Sequence, residues 1–186
     1  MNIIETKLPG ILILEPKLFS DERGYFLETW HSTRFENAGI PGPFVQDNIS
    51  FSKKGVLRGL HYQYPRSQGK LIQVLWGEVL DVAVDIRAGS PTYGRWISEV
   101  LSEANHKQMY IPPGFAHGYC VTSETAVFLY KCTEFYNSAT EHGIIWNDPE
   151  LNIDWPVKKP ILSAKDKNYA RLKDISPEAL PHFGEI

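Results

Sequence analysis

The sequence predicts an all-β domain, an antiparallel sandwich or barrel built from about nine short strands. Three observations predict it. Short apolar or alternating runs recur along the whole chain. The 14 glycines and 13 prolines among the 186 residues fall largely between those runs, where turns are needed. Helical signals are confined to a few residues after Ser32 and to the tail from Ser163 to Leu172.

Taken in order, Ile11 to Leu14 is an apolar strand between Gly10 and Pro16. Asp21 to Gly24 is a turn leading into a strand from Tyr25 to Thr29. Ser32 is placed to cap a short helix over 33–37 that Gly39 and Pro41 stop. Phe44 to Phe51 reads as a polar strand or sheet edge. Gly55 to Gln63 is a strand in which period two puts Leu57, Gly59, His61 and Gln63 on one face, with Arg58 and Leu60 on the other. After a loop from Pro65 to Gly69, Lys70 opens a strand from Leu71 to Trp76. A turn at Gly77-Glu78 makes Val79 to Arg87 its expected hairpin partner. There Asp81, Ala83 and Asp85 share one face, against Leu80, Val82, Val84 and Ile86 on the other. Arg95 to Leu101 is another strand. Met109 to Ile111 meets the rigid corner Pro112-Pro113-Gly114, and Cys120 to Thr122 and Ala126 to Tyr136 complete the strands. With no repeat or linker, residues 1–186 read as one domain.

The totals exclude several classes. A net charge of −3 gives no basic field for nucleic acid. No apolar run approaches the roughly 20 residues of a membrane span, and the N-terminus lacks the pattern of a secretory signal, so a cytoplasmic protein is expected. Cys120 and Cys132 keep no metal-ligand spacing and fall in apolar runs, where free buried thiols are the simplest reading; the sequence leaves open whether they pair.

Polar groups at core-like positions mark the candidate site. His61 and Gln63 share a strand face, and Lys70 opens the next strand toward the same space. His117 follows the Pro113-Gly114 corner, an arrangement that resembles the second motif of cupin barrels. The first cupin motif, a His-x-His followed by a glutamate, binds metal. Here it reads His61-Tyr62-Gln63, with Lys70 in the glutamate position, and an ammonium repels a cation, so no metal site is expected. Tyr130, Cys132, Glu134 and Tyr136 share a face, where tyrosines suit proton donation and ring stacking as well as packing. Asp166 lies three residues after Ser163. It is read either as part of a helix cap or as a carboxylate that raises the basicity of a histidine and fixes its tautomer.

Together, Arg23-Gly24-Tyr25-Phe26 with Glu28, Gln46-Asp47-Asn48, Leu57 to Gln63, Lys70, Ile111 to Gly118, Leu129-Tyr130-Lys131 and Ser163 to Asp166 resemble the dTDP-4-dehydrorhamnose 3,5-epimerase family over nearly the whole chain. The resemblance implies a cupin-type β-barrel or jelly roll with a short C-terminal helical segment. It also implies a homodimer, no metal or cofactor, and the substrate dTDP-4-dehydro-6-deoxy-D-glucose on the route to dTDP-L-rhamnose. On the matching positions it implies His61 as the base at C3 and C5, Asp166 as its partner, Tyr130 as the acid on the opposite face and Lys70 as the group that stabilises the C4 enolate. Arg23, Glu28, Gln46, Asp47, Asn48, Arg58, Lys70, His117, Glu141 and Lys165 match ligand-binding positions, and Tyr136 the ring that stacks on thymine.

The chemistry agrees: protons beside a ketone are weakly acidic, their loss puts charge on the carbonyl oxygen, and inversion needs a base and an acid on opposite faces. A C3-only or C5-only epimerase and a 3,4-ketoisomerase share these requirements. A metal-dependent cupin and a non-catalytic sugar- or nucleotide-binding barrel stand as alternatives of other classes.

Overall fold

The computed structural model describes residues 1–185. Its elements are β1 (Asn2–Glu5), β2 (Leu12–Glu15), β3 (Leu18–Asp21), β4 (Gly24–Leu27), helix α1 (Ser32–Asn37), β5 (Gln46–Lys53), β6 (Leu57–Gln63), β7 (Lys70–Trp76), β8 (Glu78–Asp85), β9 (Trp96–Ser102), β10 (Gln108–Ile111), β11 (Phe115–Val121), β12 (Thr125–Cys132) and β13 (Glu141–Gly143). One sheet has the order β1-β2-β10-β7-β12-β5 and faces a second of order β13-β6-β11-β8-β9. All strand pairs in both are antiparallel, the sandwich that the strand pattern predicts and of the cupin type that the resemblance implies. β3 and β4 form a separate hairpin. No described helix is long and apolar enough to cross a membrane.

The core forms three layers because each sheet packs its inner face on the other and part of its outer face under flanking chain. Ile13, Ile72, Met109 and Phe128 of the first sheet meet Val79, Ala83, Leu101 and Phe115 of the second between the sheets. The outer face of the second sheet, with Leu57, Leu60, Val82 and Val84, lies under Trp155, Leu172 and Leu180 of the C-terminal chain. The outer face of the first packs Leu14, Leu71 and Tyr110 against Phe35 of α1 and Ile40. Apolar burial on this scale contributes roughly 25 cal/mol per Å² removed from water. Both cysteines are free and buried.

The structure corrects four expectations. β7 and β8 are not a hairpin; each pairs with strands of a different sheet, and the chain crosses between the sheets at Gly77. That residue has φ +77°, and a Cβ there would lie 2.0 Å from the Thr125 carbonyl oxygen, so it forms a corner rather than a ladder-closing turn. The helix is capped one residue earlier than predicted. His31 is extended, and its Nδ1 accepts from the Arg34 N–H at 3.5 Å.

The tail from Ser163 to Leu172 makes turns, and its regular helix consists of single 3-10 turns at Leu172–Asp174 and Pro177–Ala179. A bridge from Ala170 to Ile144 and the bond from Ile145 N–H to Ala170 C=O hold this stretch against the sheet in place of a helical ladder.

The fourth correction concerns β6. The pairing of β6 with β11 shifts between His117 and Tyr119, so alternation changes phase at Gly59. Leu57 joins Leu60 in the outer layer, while Arg58 turns inward and lines the same space as His61. Gly59 has φ +128°, and a Cβ on it would lie 2.5 Å from the Cα of Gly118, so the crossover needs glycine there.

Candidate active site

Between the sheets, toward one end of the sandwich, lies a cavity with two lobes. The outer lobe, of about 290 Å³, is lined by Gln46, Asn48, His61, Lys70, Tyr130 and Tyr136 among others. The inner lobe, of about 250 Å³, shares His61, Lys70, Tyr130, Tyr136 and Glu141 and adds Ser50, Arg58, His117 and Tyr119. Where a core would hold Val or Ile, this region holds imidazoles, amides and cations, the composition of a binding site rather than of packing.

His61 stands on β6, and its Nε2 is 2.6 Å from Oδ1 of Asp166. Asp166 is buried, and its backbone N–H donates to Ser163 Oγ at 3.0 Å. The turn capped by Ser163 therefore carries the carboxylate to the imidazole, although no helix follows the cap. Burial pushes the Asp166 carboxyl up, but the hydrogen bond and charge of His61, the Ser163 hydroxyl and the Gly59 N–H outweigh it and hold the group below its ordinary range. With Nε2–H donated to a carboxylate, a neutral His61 keeps Nδ1 as its lone-pair nitrogen. The ring of Tyr169 packs edge-on to the imidazole at 5.8 Å between centroids.

The opposite wall comes from the first sheet. Tyr130 on β12 lines both lobes, and burial pushes its hydroxyl up to about 12, so the phenol keeps its proton at neutral pH. Lys70, on the neighbouring strand β7, holds its Nζ 5.9 Å from the Tyr130 ring centroid. Burial pushes the Lys70 ammonium below its ordinary range, and the nearby Cys132, Asp81 and Glu141 offset this only in part.

The mouth is a hydrogen-bonded frame. Tyr136 donates its hydroxyl to Glu141 Oε2 at 3.0 Å, and Glu141 also pairs with Lys165. Gln46 holds the Tyr136 backbone N–H through Oε1 at 2.9 Å and donates to Asn48 Oδ1 at 2.9 Å. Tyr136, 51% exposed, lines the outer lobe. Gln63 lines the outer lobe, yet its amide is committed to the loops. It donates to the Arg66 and Phe135 carbonyls at 2.7 and 3.1 Å and accepts from Asn137 N–H at 2.8 Å. Glu134 leaves the face shared with Tyr130, because β12 ends at Cys132 and its carboxylate pairs with Arg66 at 2.9 Å.

Three expected ligand-binding positions lie off the cavity. Asp47 points outward from β5 and pairs with Lys131 at 2.8 Å, as alternation with Gln46 and Asn48 requires. Arg23 is exposed in the β3–β4 turn beside Asp21, and Glu28 pairs with Arg34 at 2.6 Å. Sequence reading missed β13, which brings Glu141 into register with Gln63. It also missed Tyr169, which carries no periodic signal because it lies outside the strands. Among the described residues no three His, Cys, Asp or Glu side chains gather into a set that could hold a metal ion.

Comparison with known proteins shows which family the chain resembles. The family model described as dTDP-4-dehydrorhamnose 3,5-epimerase matches residues 5–174. A dTDP-4-dehydrorhamnose 3,5-epimerase of Shigella flexneri is 54% identical over 176 residues, covering 94% of this chain and 97% of its own. One from Pseudomonas aeruginosa is 53% identical over 169 residues, 90% and 93% of the two chains. The crystal structure of a dTDP-6-deoxy-D-glucose-3,5-epimerase from Legionella pneumophila, in complex with dTDP-4-keto-L-rhamnose, superposes with a TM-score of 0.96 at 52% identity over 98% of both chains.

Proposed function

Since the chain belongs to the dTDP-4-dehydrorhamnose 3,5-epimerase family, isomerases that act on a nucleotide sugar, we propose how its own residues carry the reaction on dTDP-4-dehydro-6-deoxy-D-glucose. The observation that carries the assignment is the placement of base and acid on facing walls. His61, bonded to Asp166 of the C-terminal turn, stands on one sheet and Tyr130 on the other, with Lys70 beside Tyr130.

His61 Nδ1 removes the proton from the carbon next to the C4 ketone, and Asp166 steadies the imidazolium that forms. The electron pair of the C–H bond moves onto the C4 oxygen as an enolate, which the Lys70 ammonium stabilises. A fixed cation in an enclosed cavity is worth far more than one in water. Tyr130 returns a proton to the opposite face of the same carbon, inverting it. The imidazolium and the phenolate then exchange protons with solvent through the cavity mouth. The cycle at C3 repeats at C5, giving dTDP-4-dehydro-L-rhamnose. Arg58 and Lys165 supply cationic donors for the diphosphate, His117 offers its free ring nitrogen as an acceptor for a sugar hydroxyl, and the Tyr136 ring stacks on thymine.

A homodimer is the working form in this reading. It is supported by Phe19, Phe26, Ile49, Phe51 and Trp76, large apolar side chains each more than half exposed in the single chain. It also gives a role to Arg23 and Glu28, which sit on or beside the separate β3–β4 hairpin, where a second copy's cavity can receive them.

Proton NMR of the product formed in deuterated water tests the function. Loss of signal at C3 and C5 with inverted couplings at both supports the double epimerase. Exchange at one carbon narrows the reaction to a single epimerase, and movement of the ketone to C3 makes it a 3,4-ketoisomerase.

A further inference from the structure

The inner lobe is backed by a second histidine–carboxylate pair that the mechanism above does not use. Asp81 on β8 has no exposed surface, and its Oδ1 and Oδ2 lie 3.1 and 3.0 Å from Nε2 of His117. His117 stands directly opposite His61 in the β6–β11 register and lines the lobe with Arg58, Lys70 and Tyr130. Asp81 lies behind that wall. Its inward neighbours on β8, Val79 and Ala83, belong to the apolar core, so a carboxylate is out of place there unless something charged holds it.

The titratable groups that face Lys70 identify what holds it. They are Cys132 and Tyr130 on β12, Glu141 on β13, His61 on β6, and His117 and Asp81 on β11 and β8. Among the carboxylates near the site, Glu141 is paired with Lys165 and Asp166 with His61. Asp166 and Asp81 each pair with only a histidine ring, and of these two Asp81 is the one whose charge acts on Lys70, which makes it the counter-charge.

We propose that Asp81 is a positioning residue of the epimerisation. It holds His117 by Nε2, leaving Nδ1 as that ring's acceptor, and its charge keeps Lys70 protonated in the enclosed cavity. Because Asp81 sits behind the wall and Lys70 in it, the C4 oxygen meets the ammonium directly and the carboxylate only at second hand. Burial pushes His117 below the ordinary imidazole range, against the pull of Asp81, so the ring is neutral at neutral pH. Burial likewise pushes Asp81 above the ordinary carboxylate range, and His117 and Lys70 offset this only in part. The inference rests on the role given to Lys70 above.

The test is Asp81→Asn, which keeps an acceptor for His117 and removes the charge. Turnover falls about 10-fold or more, dTDP affinity stays as in the wild type, and the basic limb of kcat against pH moves to lower pH. The sign follows from Lys70: activity needs the ammonium, is lost as pH rises through its pKa, and that pKa falls when the counter-charge goes. A purely structural role lowers thermal stability without moving the limb, and an unmoved limb overturns the proposal. If Asp81→Asn does not fold, nitrogen-15 NMR of histidine-labelled wild type decides. His117 protonated at Nε2 and bare at Nδ1 across neutral pH is expected, and the opposite tautomer or a freely titrating ring overturns it. Wild-type turnover, assayed first, separates the two readings. If the wild type inverts neither C3 nor C5, the proposed function fails; if it does and the limb is unmoved, only the role of Asp81 fails.

Discussion

Nε2 of His61 lies 2.6 Å from Oδ1 of Asp166, a residue 105 positions later in the chain. The bond joins a strand of the barrel to a turn of the C-terminal segment, so the segment that covers the second sheet also tunes the base. Asp166→Asn keeps the shape and removes the charge that steadies the imidazolium. Turnover falls about 10- to 100-fold with little change in KM, measured by steady-state kinetics on the sugar nucleotide.

The same pair makes a stability prediction. The folded pKa of Asp166 is held below the ordinary carboxylate value of 3.8. Its contribution is therefore present above the unfolded pKa and is lost as pH falls through the folded one. Wild type should be more heat-stable than Asp166→Asn at neutral pH, and the gap in Tm should close as the pH is lowered through that range.

Tyr130→Phe removes the acid but leaves the base. The variant should still bind substrate and wash deuterium into the carbon next to the ketone, while net inversion drops about 10²- to 10⁴-fold. Because the Tyr130 hydroxyl is pushed up to about 12, the wild-type pH profile should show no loss from this group below pH 10 to 11.

Lys70→Met replaces the ammonium by an apolar group of similar reach. Loss of the cation beside the enolate oxygen should lower kcat about 10²- to 10³-fold, with dTDP affinity measured by calorimetry nearly unchanged.

Gly143 is a packing requirement of the site. A Cβ there would lie 2.4 Å from the ring of Tyr169, which in turn packs against His61. Gly143→Ala should destabilise the fold by about 1–3 kcal/mol in urea titration and lower kcat, because the ring that must move supports the base.

Much of the site was legible because strands carry side chains at period two. His61, Lys70, Tyr130 and His117 are polar residues at inward positions of otherwise apolar strands, and the structure brings all four to one cavity. Arg58 was misassigned to the outer face because a pattern argument assumes unbroken alternation, and a register shift at Gly59 breaks it. The expected β7–β8 hairpin failed for a similar reason. A single glycine marks a turn without saying whether the chain folds back or crosses to the other sheet. Tyr169 and the three-residue β13 were invisible because neither is long enough to show a period, and Asp81 because a buried partner cannot be read from one strand. Asp166 was half legible: the Ser163 spacing marked the cap, but only the fold brings its carboxylate to His61.

The central claim is that one base, His61, opens both carbons. The direct measurement is deuterium incorporation into dTDP-4-dehydro-6-deoxy-D-glucose by wild type and by His61→Ala, followed by proton NMR at C3 and C5. The account predicts label at both carbons with the wild type and at neither with the variant, while circular dichroism shows the variant folded. Label at either carbon with folded His61→Ala, at a rate near that of the wild type, would contradict it.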